Sequence, residues 1–227
     1  MAEQSDWFRP VAEYMLREGL PETLRLAAIA VTASVVVGLL LGILMTLEFR
    51  PLQRLIRLYV ELWRGLPILV TVLFIYWLPE FTVGPVDVRL NAYMSAAVAL
   101  SFWGSAQVAE ATRGAVQSIP KEQHEAAAAL GFGWVGRHRF VIFPLALRRL
   151  LPPLVSLVVN IIQNTTIAFV IGVNETLQAG TRQFENLTAQ TGDGHPFVIF
   201  GFVALIFFCL SFPLTMLSRF LERRLVV

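Results

Sequence analysis

The sequence predicts an all-α, polytopic membrane helix bundle with about five transmembrane helices. Three observations lead there. Several apolar runs reach about 20 residues, the length that crosses a bilayer as helix. The chain of 227 residues is 56% hydrophobic and only 15% charged, with a mean hydropathy of +0.65, well above an ordinary soluble domain. Its Lys and Arg residues gather in alternate loops rather than along one face. The spans are drawn over residues 26–47, 58–78, 92–109, 154–173 and 196–217, within a single domain covering 1–227.

Before the first span, residues 1–22 are polar and mixed in charge. No basic stretch leads into a short apolar core and cleavage site, so a removable signal is not expected and the segment is assigned to the external side. Within the first span Ala30, Ser34, Gly38 and Gly42 recur every four residues, a small-residue strip on which another helix can pack closely.

The second span is the least clean. Its uninterrupted apolar part, residues 66–78, would rise only about 20 Å against a hydrocarbon core of about 30 Å. It is expected to extend backwards through Glu61 and Arg64, which at i and i+3 can pair or reach the headgroups, with Gly65 and Pro67 loosening the helix. Glu110, at the end of the third span, is expected to pair with Arg113.

Thirteen of the 18 Lys and Arg fall in one set of loops, from Arg50 to Arg64, Arg113 to Arg149 and Arg219 to Arg224. Five (Arg9, Arg17, Arg25, Arg89 and Arg182) fall on the other side. Positive loops stay cytoplasmic, so the N-terminus is expected outside and the C-terminus inside. Residues 110–153 then form the longest cytoplasmic segment, too polar to cross and rich in helix formers, with helices lying at the surface.

Within that segment Glu125-Ala-Ala-Ala-Ala-Leu-Gly131 is followed by Gly133, Gly136 and Pro144. This reads as helix, stop, helix. Pro120 suits the start of the first segment, Gly131 the left-handed position that ends it, and Pro144 the end of the second. So short a helix is not stable alone and needs a partner surface.

The pattern Glu125, Ala126, Ala127, Gly131 with Pro144 further on resembles the permease subunits of ABC importers. Further segments in order extend the resemblance to the branch importing polar amino acids such as histidine, arginine, glutamine and glutamate: Thr23-Leu24, Tyr59 to Pro67, Ala109 to Ala115, Gln117 to Pro120 and Leu221 to Arg224. It covers roughly residues 19–225. The resemblance implies a type I importer fold in a bacterial inner membrane. It also implies two ATP-binding subunits, a second permease copy or homologue, and an external solute-binding protein that delivers an amino-acid substrate. Glu125, Ala126, Ala127, Gly131 and Pro144 become the expected ATPase-docking positions, in a coupling region over 110–153. No Gly-Lys-Ser/Thr phosphate loop occurs, so no cofactor is expected in this chain, and ATP with Mg belongs to the partner ATPase.

The fourth span carries Asn160, Gln163, Asn164, Thr165 and Thr166 in an otherwise apolar stretch. Such side chains either hydrogen-bond helix to helix or line a solute path. Relatives often have Lys-Asp-Thr-Ser at the positions of Gln163 to Thr166, and Gln at that of Thr71. With Gln163 and Asn164 both uncharged, a glutamate- or glutamine-like solute is favoured over a cationic one.

Other readings stay in view. Ser105 and His195 offer a serine and a base for an intramembrane serine protease, but the Gly-x-Ser-x-Gly setting is missing. An ATP-independent channel or secondary carrier explains the spans but not the helix-stop-helix segment. His124 and His138, read as surface residues, lack a metal-ligand partner at the required spacing, so no metal site is expected. The lone Cys209 excludes a disulfide framework. Basic residues confined to loops give no nucleic-acid surface; membrane lipid is the expected surroundings.

Overall fold

The computed structural model describes residues 7–47, 49–78, 81–83, 86–88 and 90–225. Helix α1 runs from Phe8 to Leu44, α2 over Arg50–Gly65 and α3 over Ile68–Tyr76. A two-stranded antiparallel ribbon, Phe81–Val83 with Val86–Val88, follows. Next come α4 (Ala92–Gln117), α5 (Lys121–Ala129), α6 (Trp134–Ile171), α7 (Thr176–Thr191) and α8 (Pro196–Leu225). By length and apolarity α1, α6 and α8 can cross a membrane, and α2 with α3 would make a fourth span if taken together. Helix α4, expected as the third span, has the length, with 26 residues. It is less apolar because it carries hydroxyls that face protein rather than lipid: Ser95, Ser105 and Thr112 are all buried.

Contacts group the chain into two units. One comprises the chain up to Val31 with Pro67–Ser101 and Asn160–Phe212. Its core gathers Val11, Met15, Ala179, Ile199, Val203 and Ile206. Within the segment over residues 1–22, expected as a polar external lead-in, the chain is helical from Phe8 and contributes core residues, because Val11 and Met15 lie one turn apart on one face. The approach of α1 to α7 is close: a Cβ on Gly19 would lie 2.7 Å from that of Ala179. Beside it the hydroxyls of Thr23 and Thr176 stand 2.8 Å apart, and the Thr176 N–H donates to Thr23 Oγ1 at 3.0 Å.

The other unit comprises Thr32–Leu66, Phe102–Val159 and the chain from Pro213. Met45, Ile56, Val60 and Ala109 form one cluster; Val116, Ile119, Ile142 and Ala146 form another. The small-residue strip does what its spacing predicts at Gly38 and Gly42, which lie against Val108 and Thr112 of α4.

Three expectations about continuity are corrected. The second span does not extend backwards as one helix: α2 and α3 are bent by 102° at the break. Leu66 is extended, with ψ 137°, and Pro67 has ψ 130°. A residue before proline is pushed out of the helical region, and proline has no N–H to continue the ladder. Pro144 does not end its helix, since α6 runs through it. A wide π turn over His138–Ile142 precedes it, with the Phe143 N–H donating to the His138 carbonyl, so the ladder has already shifted register where the proline N–H is missing. The fourth span is not uniform either. It tightens into a 3₁₀ segment over Thr165–Ile171 and stops at Gly172, φ +80°.

Candidate functional site

The helix-stop-helix segment is built as expected. Pro120 is the N-cap of α5, and its fixed φ suits that entry. At the other end Gly131 has φ +83°. Its N–H donates to the Ala128 carbonyl at 2.9 Å, and the Phe132 N–H donates to the Ala127 carbonyl at 3.1 Å. These two bonds make a Schellman C-cap, which satisfies helix-end carbonyls and requires the left-handed residue that glycine tolerates. Gly133 then caps α6.

Ala127 is turned inward, with 2% of its surface exposed. Glu125 and Ala126 face outward. Beyond them Leu130, Phe132, Trp134 and Val135 leave large apolar surfaces open, Leu130 being 78% exposed. An exposed apolar patch of this kind suits contact with another protein or with the membrane. Pro144 is not part of it. It lines an apolar groove of about 450 Å³ with Leu39, Ile43, Thr112, Ala115 and Leu147.

Two supports of this segment have no motif to announce them. The Arg149 guanidinium donates to the Ser118 carbonyl and, at 3.1 Å, to Ser118 Oγ, tying the turn before α5 to α6. His138, expected at the surface, is buried. Its ring stands 4.2 Å from that of Trp134, and its Nδ1 lies 2.8 Å from the Trp134 carbonyl. Both are i,i+4 contacts across the α turn that precedes the π segment.

The solute-path candidates lie in the other unit, where α3 packs on the 3₁₀ segment of α6. Both are short pieces of interrupted helix, the kind of element that frames solute sites in transporters. Thr71 and Thr165 are buried there. Their hydroxyls are satisfied locally: Thr71 donates to the Pro67 carbonyl at 3.4 Å, Thr165 to that of Ile162 at 2.7 Å and Thr166 to that of Gln163 at 2.8 Å. The amides are more open. Asn160 and Gln163 are exposed and Asn164 half-buried, with Gln163 Nε2 reaching Ser211 Oγ at 3.4 Å. At i, i+3 and i+4, Asn160, Gln163 and Asn164 share one helical face, and Thr165 and Thr166 lie off it.

A residue that no motif flagged is Glu175, fully buried at the N-cap of α7. Its carboxylate accepts the N–H groups of Leu177 and Gln178, each at 2.8 Å. Burial raises its pKa from 4.5 to about 7, against the pull of those two bonds. The folded state thus binds the proton more tightly than the unfolded one. Its contribution to stability is largest below pH 4.5, declines up to about 7 and is flat above. Glu175→Gln is expected to remove that decline, on the order of 3 kcal/mol for a shift of this size. Thermal midpoints of wild type and variant between pH 4.5 and 8 check it; parallel curves would disprove it.

Glu110 pairs with Arg113 as expected, accepting from Arg113 Nε at 3.0 Å. Arg64 turns to Glu110 at 3.8 Å and to Gln107 Oε1 at 3.1 Å. The protease pairing gains no support. Ser105 Oγ bonds Tyr59 at 2.6 Å and the Phe102 carbonyl at 3.0 Å, whereas His195 stacks on Trp7 with ring centres 4.3 Å apart and pairs with Asp193 at 3.3 Å.

Long apolar helices, with interrupted helices that carry buried hydroxyls, define a polytopic helical membrane protein with an exposed helix-glycine-helix segment. The chain matches, over residues 15–227, the family described as binding-protein-dependent transport system inner membrane component, and it belongs to that family. It is therefore an ABC importer permease, multi-pass and membrane-embedded. It is 35% identical over 213 residues to the glutamine transport system permease protein GlnP of Escherichia coli (strain K12), covering 94% of each chain. It is 34% identical over 174 residues to the glutamate/aspartate import permease protein GltJ of the same organism, covering 71% of this chain and 70% of that one. Among solved structures it superposes on an amino acid ABC transporter with histidines with a TM-score of 0.78 at 29% identity, covering 96% and 95% of the two chains.

Proposed function

We propose that this permease passes glutamine or glutamate inward, working with two ATP-hydrolysing subunits, a second permease and an external binding protein. The observation that carries the reading is the capped, outward-facing α5 with Glu125, Ala126 and the exposed Leu130 beyond it. Such an exposed, capped apolar surface fits a groove on a separate ATPase, and closure of that ATPase pair would be relayed through Arg149 and α6. Alternating access follows if docking and separation of the ATPases bias two states of the spans. The positive loops orient the N-terminus outside and the C-terminus inside.

The substrate preference rests on the uncharged Gln163 and Asn164 and on relatives named for glutamine and for glutamate/aspartate. An amide pair can donate to a solute carboxylate or exchange bonds with an amide, and offers no counter-charge to a cation. A mild-detergent pull-down of the tagged chain from native membranes is expected to recover an ATPase and a solute-binding protein. Vesicles holding the recovered complex are expected to accumulate labelled glutamine or glutamate, and not arginine, when ATP is supplied. Recovery of the chain alone, from membranes that retain other complexes, would favour an ATP-independent channel or carrier. ATP-driven uptake of arginine would overturn the substrate assignment only.

A further inference from the structure

We propose that α2 lies in the headgroup layer and binds an anionic phospholipid, its arginines holding the phosphodiester. The proposal rests on the chain being a membrane subunit, but not on which solute it moves.

Helix α2 has three faces. Ile56 and Val60 are buried, in a cluster with Met45 and Ala109. Arg50, Arg54 and Arg57 form an exposed strip at i, i+4 and i+7. Beside it Leu55, Leu58 and Leu62 form a second strip, 66%, 64% and 49% exposed. A helix facing only water gains nothing from three bare leucines. A helix crossing the bilayer would place the arginine strip in hydrocarbon, where a single charge is already costly. Lying in the interface serves both, with leucines toward the acyl chains and guanidiniums at phosphate level.

Charge complementarity selects an anionic headgroup over a zwitterionic one. Among the described residues neither Arg50 nor Arg54 makes an ion pair with a carboxylate. Arg57 borders a hollow of about 330 Å³ also lined by Glu61, Arg64, Glu110 and Arg113. Three guanidiniums face two carboxylates there, so this edge of the helix does not neutralise itself. A guanidinium fork matches a phosphodiester with two parallel bonds.

The full chain in mild detergent, titrated with phosphatidylglycerol and with phosphatidylcholine of identical acyl chains, tests this by native mass spectrometry. A basic residue at the surface is worth about fivefold in affinity for anionic lipid. The first phosphatidylglycerol is expected to bind at least about tenfold more tightly than phosphatidylcholine, with the preference falling as salt rises. R50Q/R54Q is expected to bring the two lipids close to parity, and R50K/R54K to keep most of the preference. L55S/L58S should weaken both lipids alike. Equal binding by wild type, or a preference untouched in R50Q/R54Q, would overturn the proposal. Loss of ATPase recovery in R50Q/R54Q with lipid preference intact would make this face a protein interface instead. The readout is lipid binding, so its failure leaves the importer reading standing.

Discussion

A Gly131→Trp chain is expected to insert normally and to recover at least about tenfold less ATPase than wild type, the scale of a lost interface hot spot. Gly131 has φ +83° with nothing within 4 Å of the site of a Cβ, so the first side-chain atom meets no neighbour. The left-handed backbone itself resists a side chain, by about 1–2 kcal/mol, and without it the Schellman bonds to Ala127 and Ala128 are lost. The exposed patch from Glu125 to Val135 then loses its fixed shape, and an indole stands in front of it. Glu125→Lys leaves the backbone untouched and reverses one exposed charge, so it separates electrostatics from shape. Pull-down against the ATPase measures both, with membrane abundance as the control. Full ATPase recovery with Gly131→Trp would mean that α5 is not the docking element.

Gly42→Ala and Gly38→Ala are expected to destabilise the chain by about 1–3 kcal/mol each, although alanine is the better helix former. A Cβ at Gly42 would sit 2.4 Å from Thr112 Cβ and 2.7 Å from the Ala109 carbonyl oxygen; at Gly38 it would sit 2.5 Å from Val108 Cβ. Two of these neighbours are branched side chains on helix α4 and one is backbone, so the helices must separate. Gly114→Ala is the control, because nothing lies within 4 Å of that position. It should be neutral or slightly stabilising. Thermal midpoints and the fraction of monodisperse protein in detergent rank the three. Equal behaviour of Gly42→Ala and Gly114→Ala would contradict the close approach.

Much of this protein is legible in its sequence because membrane and helix-end constraints act locally. Apolar length sets where a helix can cross, the side holding Arg50 to Arg64 and Arg113 to Arg149 sets the expected orientation, and Pro120, Gly131 and Gly133 write the helix-stop-helix segment into the chain one residue at a time. The small-residue spacing likewise fixed which face of α1 packs closely at Gly38 and Gly42. Other features depend on what a residue meets, and no local pattern encodes that. Pro144 looks like a helix stop until the π turn before it absorbs the missing N–H. The apolar run after Gly65 looks like the end of one span until Leu66 and Pro67 turn extended and break it. Val11 and Met15 become core only because Ala179 and Ile199 close over them, and Glu175 becomes a group with a raised pKa only because the fold seals its N-cap from water. The sequence alone thus determined a membrane helix bundle and its helix-stop-helix segment, because both follow from transfer energies and backbone preferences of single segments. Tertiary structure decided where helices break and which polar groups are buried, because these are set by the balance of hydrogen bonds and packing between segments distant in sequence.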